Sequence, residues 1–84
     1  MNNVIMRKIT VTAVYQALVA SRMVSSVTIS TPPSNSGPVY FRGDDGTDVP
    51  WIPGEWHKFV AVNLADIKIK GTPGDVVTVV GGTW

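Results

Sequence analysis

Short segments in which polar and apolar residues alternate are the feature that most restricts the fold of this 84-residue chain. In residues 8–12 (KITVT), 26–30 (SVTIS) and 67–70 (IKIK), every second residue is Ile or Val, and the others are Ser, Thr or Lys. A period of two puts the aliphatic side chains on one side of an extended segment, whereas a helix would need a period of about 3.6. We therefore predict β-strands that each bury one face.

Three further segments fit strands less regularly: residues 39–42 (VYFR), 57–62 (HKFVAV) and 76–80 (VVTVV). The last carries apolar residues at positions of both parities, a pattern typical of a strand that is covered on both sides. Residues 15–25 (YQALVASRMVS) leave two interpretations open. They fit either one helical turn or a strand, a kink and the start of the next strand.

Segments rich in Gly and Pro separate these strands, and the chain has eight Gly and six Pro. Proline cannot donate to a strand ladder, and Gly and Asn permit positive φ, so we interpret these segments as turns. They are residues 31–38, 44–48, 53–54 and 71–75. The pattern predicts an all-β fold, either a small antiparallel β-sandwich or a jelly-roll-like barrel of six to eight short strands. We expect a single domain over residues 1–84, with residues 1–7 as an N-terminal arm.

The composition excludes several classes of protein. The chain has no cysteine, so it uses no disulfides, and a net charge of +1 is too small for electrostatic binding of nucleic acid. No run approaches the roughly 20 apolar residues of a membrane span, and residues 1–20 lack the pattern of a signal peptide. We therefore expect a soluble protein made in the cytoplasm, with neither nucleic acid nor membrane as a partner. So short a domain gains stability from oligomerisation, which near-neutral charge does not oppose.

Catalytic chemistry has little support in the sequence. His57 is the one histidine, and Glu55 lies two residues before it, on the same side of a strand. There is no cysteine, and no serine lies in a nucleophile-elbow motif that could work with this base. We assign no catalytic residue and no cofactor, and we do not expect an enzyme.

The segment FRGDDGTD, residues 41–48, raises two other functions. Asp44, Asp45 and Asp48 could offer oxygen ligands to calcium, but their spacing is not that of an EF-hand, and Asp and Gly also build turns without an ion. We assign no metal ligand and leave calcium binding open. The RGD tripeptide (residues 42–44) resembles an adhesion ligand, but we interpret it as part of a turn in which Gly43 and Gly46 supply the permissive backbone.

Tryptophan is the residue type most informative about contacts. Trp51 and Trp56 each lie within two residues of Gly or Pro, Trp84 ends the chain, and Trp either fills a core or anchors an interface. We predict that Trp84 contacts another chain and that Trp51 or Trp56 plugs one end of the sandwich. The full set of candidate interface residues is Val4, Ile5, Met6, Trp51, Trp56 and Trp84.

The order of several motifs resembles that of small β-sandwich virion proteins of tailed bacteriophages. These motifs are VTIS (27–30), NSGPVYFRGDDG (35–46), PWIPGE (50–55) and LADIKIKGTPGDVVTV (64–79). The resemblance covers residues 26–80, about two-thirds of the chain, and consists of turn glycines and alternating apolar residues.

This resemblance implies a capsid decoration or cement protein. Such a protein binds the major capsid protein on the outer shell, stabilises the head and forms a homo-oligomer, for which a trimer would suit three-fold lattice positions. It would be found on the capsid surface of the virion after synthesis in the bacterial host cytoplasm. A tail, neck or fibre component is an alternative, as is a small carbohydrate-binding module that uses Tyr40, Trp51 and Trp56.

Overall fold

Two antiparallel sheets of four strands each form a β-sandwich in the computed structural model, which describes residues 3–83. The strands are β1 (Val4–Thr10), β2 (Gln16–Ala17), β3 (Val24–Ser30), β4 (Val39–Arg42), β5 (Val49–Trp51), β6 (Trp56–Asn63), β7 (Lys68–Lys70) and β8 (Val76–Thr83). Sheet A has the order β1-β8-β3-β6, and sheet B has the order β2-β7-β4-β5. Over residues 3–83 the one helical element is a 3₁₀ turn (Leu64–Asp66), and no helix is long and apolar enough to cross a membrane.

The strand pairing is that of a jelly roll. The first strand pairs with the last, and the next pairs nest inside it as β2 with β7, β3 with β6 and β4 with β5. Two further pairings, β3 with β8 and β4 with β7, join these hairpin-like pairs into the two sheets. A long antiparallel ribbon that winds around itself in this way is the double-sheet jelly-roll arrangement. The prediction of an all-β fold is therefore confirmed.

The predicted strands agree with the structure to different extents. The bounds of β4 are those predicted, and residues 26–30 all lie within β3. Residues 15–25 hold β2, a kink and the start of β3, which is the second of the two interpretations left open. No local pattern indicates β5, because Pro50 lies at its centre, and proline is tolerated there because β5 is an edge strand.

The N-terminal segment differs from the expected arm. Residues 4–7 form the first half of β1 and pair with residues 79–82 of β8. Ile5 supplies the physical reason, because its side chain is buried in the core between the sheets. The strand at the start of the chain is thus residues 4–10 rather than residues 8–12.

The inner sides of the two sheets form one hydrophobic core. Val27 and Ile29 of β3 and Val77 and Val79 of β8 are essentially inaccessible to solvent. The opposite side of β8 is different, since Val80 keeps 49% of its surface exposed. The prediction that this strand is covered on both sides is therefore not met within one chain, because nothing in the described residues packs on the outer side of sheet A.

The long loop between β3 and β4 is held to the start of β8 by side chains. Asn35 donates its amide to the carbonyl of Val76 at 2.9 Å and accepts from the N–H of Val76 at 3.0 Å. The carboxylate of Asp75 accepts from the N–H and hydroxyl of Ser36 and from the N–H of Gly37. These donors, the Ser36 N–H first among them, lower the pKa of Asp75 below its ordinary value of 3.8.

Sheet A depends on a close approach of β8 to β3 at Gly81. A Cβ atom on this residue would lie 2.2 Å from the carbonyl oxygen of Ser26 and 2.6 Å from the Cα of Val27. Both neighbours are backbone atoms of a central strand and cannot move independently of the sheet. Glycine is therefore required at this position for steric reasons.

We predict that Gly81→Ala lowers the free energy of unfolding by roughly 1–3 kcal/mol, because the methyl group forces β8 away from β3. Urea unfolding measures this change. Gly43→Ala is the matched control, since a Cβ there meets nothing within 4 Å and the substitution also restricts the unfolded chain. Equal stability of the two variants would contradict the close-approach explanation.

We also predict that Asp75→Asn destabilises the protein at neutral pH and that this difference shrinks in acid. The folded pKa of Asp75 lies below its unfolded value, so the stabilisation is fully present above about pH 4 and is lost as the pH falls through the folded pKa. Urea unfolding of both proteins near pH 7 and near pH 3 tests this. A difference that stays constant between these pH values would show that ionisation of Asp75 contributes nothing.

Candidate interaction surfaces

The outer side of sheet A is a broad surface with few charges, and we call it the A face. The alternation of buried and exposed residues assigns its members from all four strands. They are Val4, Met6, Lys8, Thr10, Val24, Ser26, Thr28, Ser30, Trp56, Lys58, Val60, Val76, Thr78, Val80 and Gly82. Except for two lysines, every member is apolar, a small hydroxyl residue or glycine.

The strand register arranges these side chains in rows across the sheet. One row runs from Met6 through Val80 and Thr28 to Lys58. Met6 has 74% of its surface exposed, and Val80 beside it has 49%, so an apolar pair lies at one end of the row and a cation at the other.

The neighbouring row has the opposite sense. It runs from Lys8 through Thr78 and Ser30 to Trp56, whose surface is 63% exposed. The hydroxyls of Thr78 and Ser30 are hydrogen-bonded to each other at 2.5 Å, which satisfies the polar groups at the centre of this row. The two rows together place one lysine on each edge strand and none on the central strands β8 and β3. An uncharged centre with charge at the rim is the anatomy of a protein–protein interface.

The edges of sheet A are protected from pairing with another strand. On β1, Arg7 lies on the same side of the strand as Ile5 and Ile9 but remains exposed, and a charge on the inner side of an edge strand opposes further pairing. On β6, a bulge places Val60 and Ala61 opposite one residue of β3. Ala61 has φ +52°, and the bulge interrupts the regular ladder that a new strand would need.

The edges of sheet B are protected by their length and composition. Strand β2 has two residues, and β5 has three with Pro50 in the middle. Short edge strands and edge prolines offer few backbone groups to a new strand. Contacts with other proteins are therefore favoured at the faces of the sandwich over its edges.

The outer side of sheet B is cationic, and we call it the B face: Tyr40, Arg42, Pro50, Lys68 and Lys70. The ring of Tyr15 lies over this face, with the Arg42 guanidinium 4.0 Å and the Lys70 ammonium 4.7 Å from its centroid.

A carboxylate holds this arrangement together. Asp48 accepts from the guanidinium of Arg42 at 2.9 Å and from the hydroxyl of Tyr15. The pKa of Asp48 is held below its ordinary value by the Tyr15 hydroxyl and then by Arg42.

The RGD tripeptide and the aspartates around it serve this turn. Arg42 belongs to β4, and its side chain is engaged with Asp48, so the tripeptide is not presented at a free loop tip. Asp45 accepts from the N–H of Thr47 at 2.9 Å, and Gly46 takes the positive φ of +76° that the turn needs, whereas Gly43 does not need one. Within residues 3–83 no three acidic or histidine side chains lie close enough together to hold a metal ion.

Glu55 and His57 form a surface pair that supports the turn between β5 and β6. The imidazole and the carboxylate are 2.6 Å apart, and the carboxylate also accepts from the N–H of Ile52. The bond to His57 lowers the pKa of Glu55. In the described part of the chain, no hydrogen bond joins His57 to a serine or threonine hydroxyl.

The predicted interface residues divide between surface and core. The structure brings Val4, Met6 and Trp56 to the A face, where all three are largely exposed. Ile5 and Trp51 are buried, with 4% and 5% of their surfaces accessible. Successive residues of a strand point to opposite sides, so Val4 and Met6 point outward while Ile5 points into the core. The sequence would indicate this alternation if residues 4–7 were interpreted as a strand.

Trp84, predicted to contact another chain, lies outside the described residues. Trp51 plugs the sandwich as expected of one tryptophan, since its ring stacks on Phe41 at a centroid distance of 3.7 Å. A carbohydrate platform would need Trp56 and Tyr40 together, but they lie on the A face and the B face, on opposite sides of the molecule.

A cleft at one corner of the sandwich had no signal in the sequence. It lies where β6 extends beyond the short β5, and its apolar part of about 220 Å³ is lined by Phe41, Trp51, Phe59 and Ile67 among others. A larger part of about 530 Å³ adjoins it and reaches Asp66. The cleft arises from unequal strand lengths in two sheets, which local patterns do not encode.

No protein-family model, curated protein or solved structure matches this chain. The jelly-roll arrangement by itself does not fix a function, because capsid domains, lectins and cupins all use it. The function must therefore be inferred from the chemistry of the two faces.

We predict opposite outcomes for two tryptophan substitutions. Trp51→Ala removes a buried ring stacked in the core and is expected to cost about 3–5 kcal/mol. Trp56→Ala acts at an exposed position on the A face and is expected to cost about 1 kcal/mol or less. Thermal or urea unfolding separates them, and a similar loss of stability in both would contradict the assignment of Trp56 to the surface.

Proposed function

We propose that this chain is a structural bacteriophage virion protein, namely a capsid decoration or cement protein that binds the major capsid protein on the outer shell. One observation carries the proposal: the described surface has two broad sheet faces of different chemistry, one nearly uncharged and one cationic. Such a surface suits a protein that acts through contacts. The resemblance of residues 26–80 to phage virion proteins supports a phage particle as the place where these contacts are made.

A decoration protein stabilises a head by mass action. It binds the assembled shell and not the free subunits, so each bound copy lowers the free energy of the assembled state. The effect of a modest affinity is multiplied by the repeated sites of a symmetric lattice. An 84-residue domain without disulfides would itself gain stability from the same contact.

The B face has the composition that suits contact with the shell. Arg and Tyr are the residue types enriched at interface hot spots, and this face presents Arg42 and Tyr40 beside Lys68 and Lys70. Of these cations, Arg42 is paired with Asp48 of its own chain. The face would therefore recognise an acidic surface of the shell, with an affinity that falls as ionic strength rises.

The copy number in purified particles tests this function. We predict that quantitative mass spectrometry of the phage that encodes this chain, scaled to the major capsid protein, finds on the order of hundreds of copies per particle, as repeated lattice sites require. A handful of copies would place the chain in the tail, neck or fibre instead. Complete absence from the particle would overturn the virion assignment.

The contribution of the B face is tested separately with isolated shells. The double substitution Lys68→Glu with Lys70→Glu reverses the charge of β7 at positions with exposed or half-exposed side chains, so the fold is expected to persist. Co-sedimentation with shells that lack the protein should fall in this variant. Val60→Thr on the opposite face serves as the control and should leave co-sedimentation unchanged.

A further inference from the structure

The A face leaves an apolar strand uncovered in the single chain. Strand β8 has valines on both sides, and its outward Val80 lies beside the exposed Met6. At one end of the sheet, Val4 adds a third exposed apolar side chain. A contiguous exposed patch of this kind marks an interaction surface in soluble proteins.

We propose that the A face binds the A face of a second copy of this chain, with a two-fold axis parallel to the strands. This rotation places β1 of one copy over β6 of the other and keeps each row of side chains opposite the same row. Lys8 then faces Trp56 of the second copy, and Met6 faces Lys58 of the second copy. At the centre, Val80 faces Thr28 of the second copy.

The positions of the two lysines avoid a direct opposition of like charges in this arrangement. The two lysines occupy opposite edge strands and different rows, so no lysine faces a lysine across this axis. Each Lys8 ammonium instead meets an exposed indole, an arrangement that is attractive through the cation–π interaction. The net charge of +1 adds little repulsion between copies.

The area of the A face determines how much surface two copies would bury. Four strands about 4.8 Å apart and seven residues long at about 3.3 Å each cover roughly 19 by 23 Å, or about 440 Å² per copy. Two copies would bury about 900 Å², just below the roughly 1,000 Å² expected of a specific interface. A pair with so small an interface should be reversible and should dissociate on dilution. The protected edges of both sheets favour association through a face of the sandwich.

This inference concerns the purified chain and does not depend on a shell. It favours a two-fold pair over the trimer expected from lattice positions, because two flat faces with this row pattern match each other across a two-fold axis. Sedimentation equilibrium of the wild-type protein over a range of concentrations should show a monomer–dimer equilibrium. A monomer at all concentrations, or a trimer, would overturn the proposal, whereas the copy number in particles tests the proposed function independently.

Two substitutions of opposite charge at one position test the arrangement. Met6 is exposed, so Met6→Lys and Met6→Glu should both fold, which unfolding curves can verify. Met6→Lys places a cation opposite Lys58 of the second copy and is expected to raise the dissociation constant at least about tenfold above that of Met6→Glu at low salt. The difference should shrink at high salt because the charges are screened.

A matched control lies on the opposite face of the sandwich. Lys70→Glu changes the same kind of charge on the B face and should leave the dissociation constant unchanged. Trp56→Ala should weaken the pair, because it removes the ring that faces Lys8. Equal dissociation constants for Met6→Lys and Met6→Glu at low salt would overturn the two-fold arrangement.

Discussion

The pairing of β8 between β1 and β3 is the constraint on which the rest of the structure depends. It joins the first strand to the last, since Val4 pairs with Gly82, and it joins β8 to β3, since Thr83 pairs with Ser25. The side chains of Val77 and Val79 on the inner side of β8 lie at the centre of the core. Because the partner strands are far apart in sequence, sheet A forms when most of the chain is available, and folding should be slow for a domain of this size. Gly81 allows the approach of β8 to β3, so one small residue supports a long-range contact.

The same pairing explains why the molecule has two unlike outer faces. The jelly-roll winding turns one side of each sheet inward and leaves the other side outside. On sheet B, Tyr15 covers part of the outside, and Asp48 binds both Tyr15 and Arg42. On sheet A nothing comparable happens among the described residues, so Met6 and Trp56 remain exposed beside small hydroxyl residues. The difference between a face that the chain partly covers and one that it leaves open is the basis of both functional proposals.

The sequence predicted the strands of the core better than the surfaces. Strict alternation in residues 26–30 determined both the strand and its buried side. Val27 and Ile29 are the apolar members of the segment, and both are buried in the core. Local patterns failed at Pro50, where tolerance of proline depends on β5 being at an edge. They also failed at residues 4–7, where the strand exists because β8 is there to pair with it. Of the contact residues predicted in β1, Val4 and Met6 are exposed on the surface, whereas Ile5 is buried in the core.

The sequence by itself determined that this chain is an all-β domain without disulfides, because period-two alternation and the positions of Gly and Pro are local properties of the backbone. It also placed three tryptophans at points where a ring could fill a core or meet another protein. Only the tertiary structure decided which role each described tryptophan takes. Trp51 and Trp56 are five residues apart and look alike in sequence, yet one stacks on Phe41 in the core and the other lies on the A face. The reason is that exposure depends on which strands pair and which sides face inward, and these are contacts between residues distant in the chain.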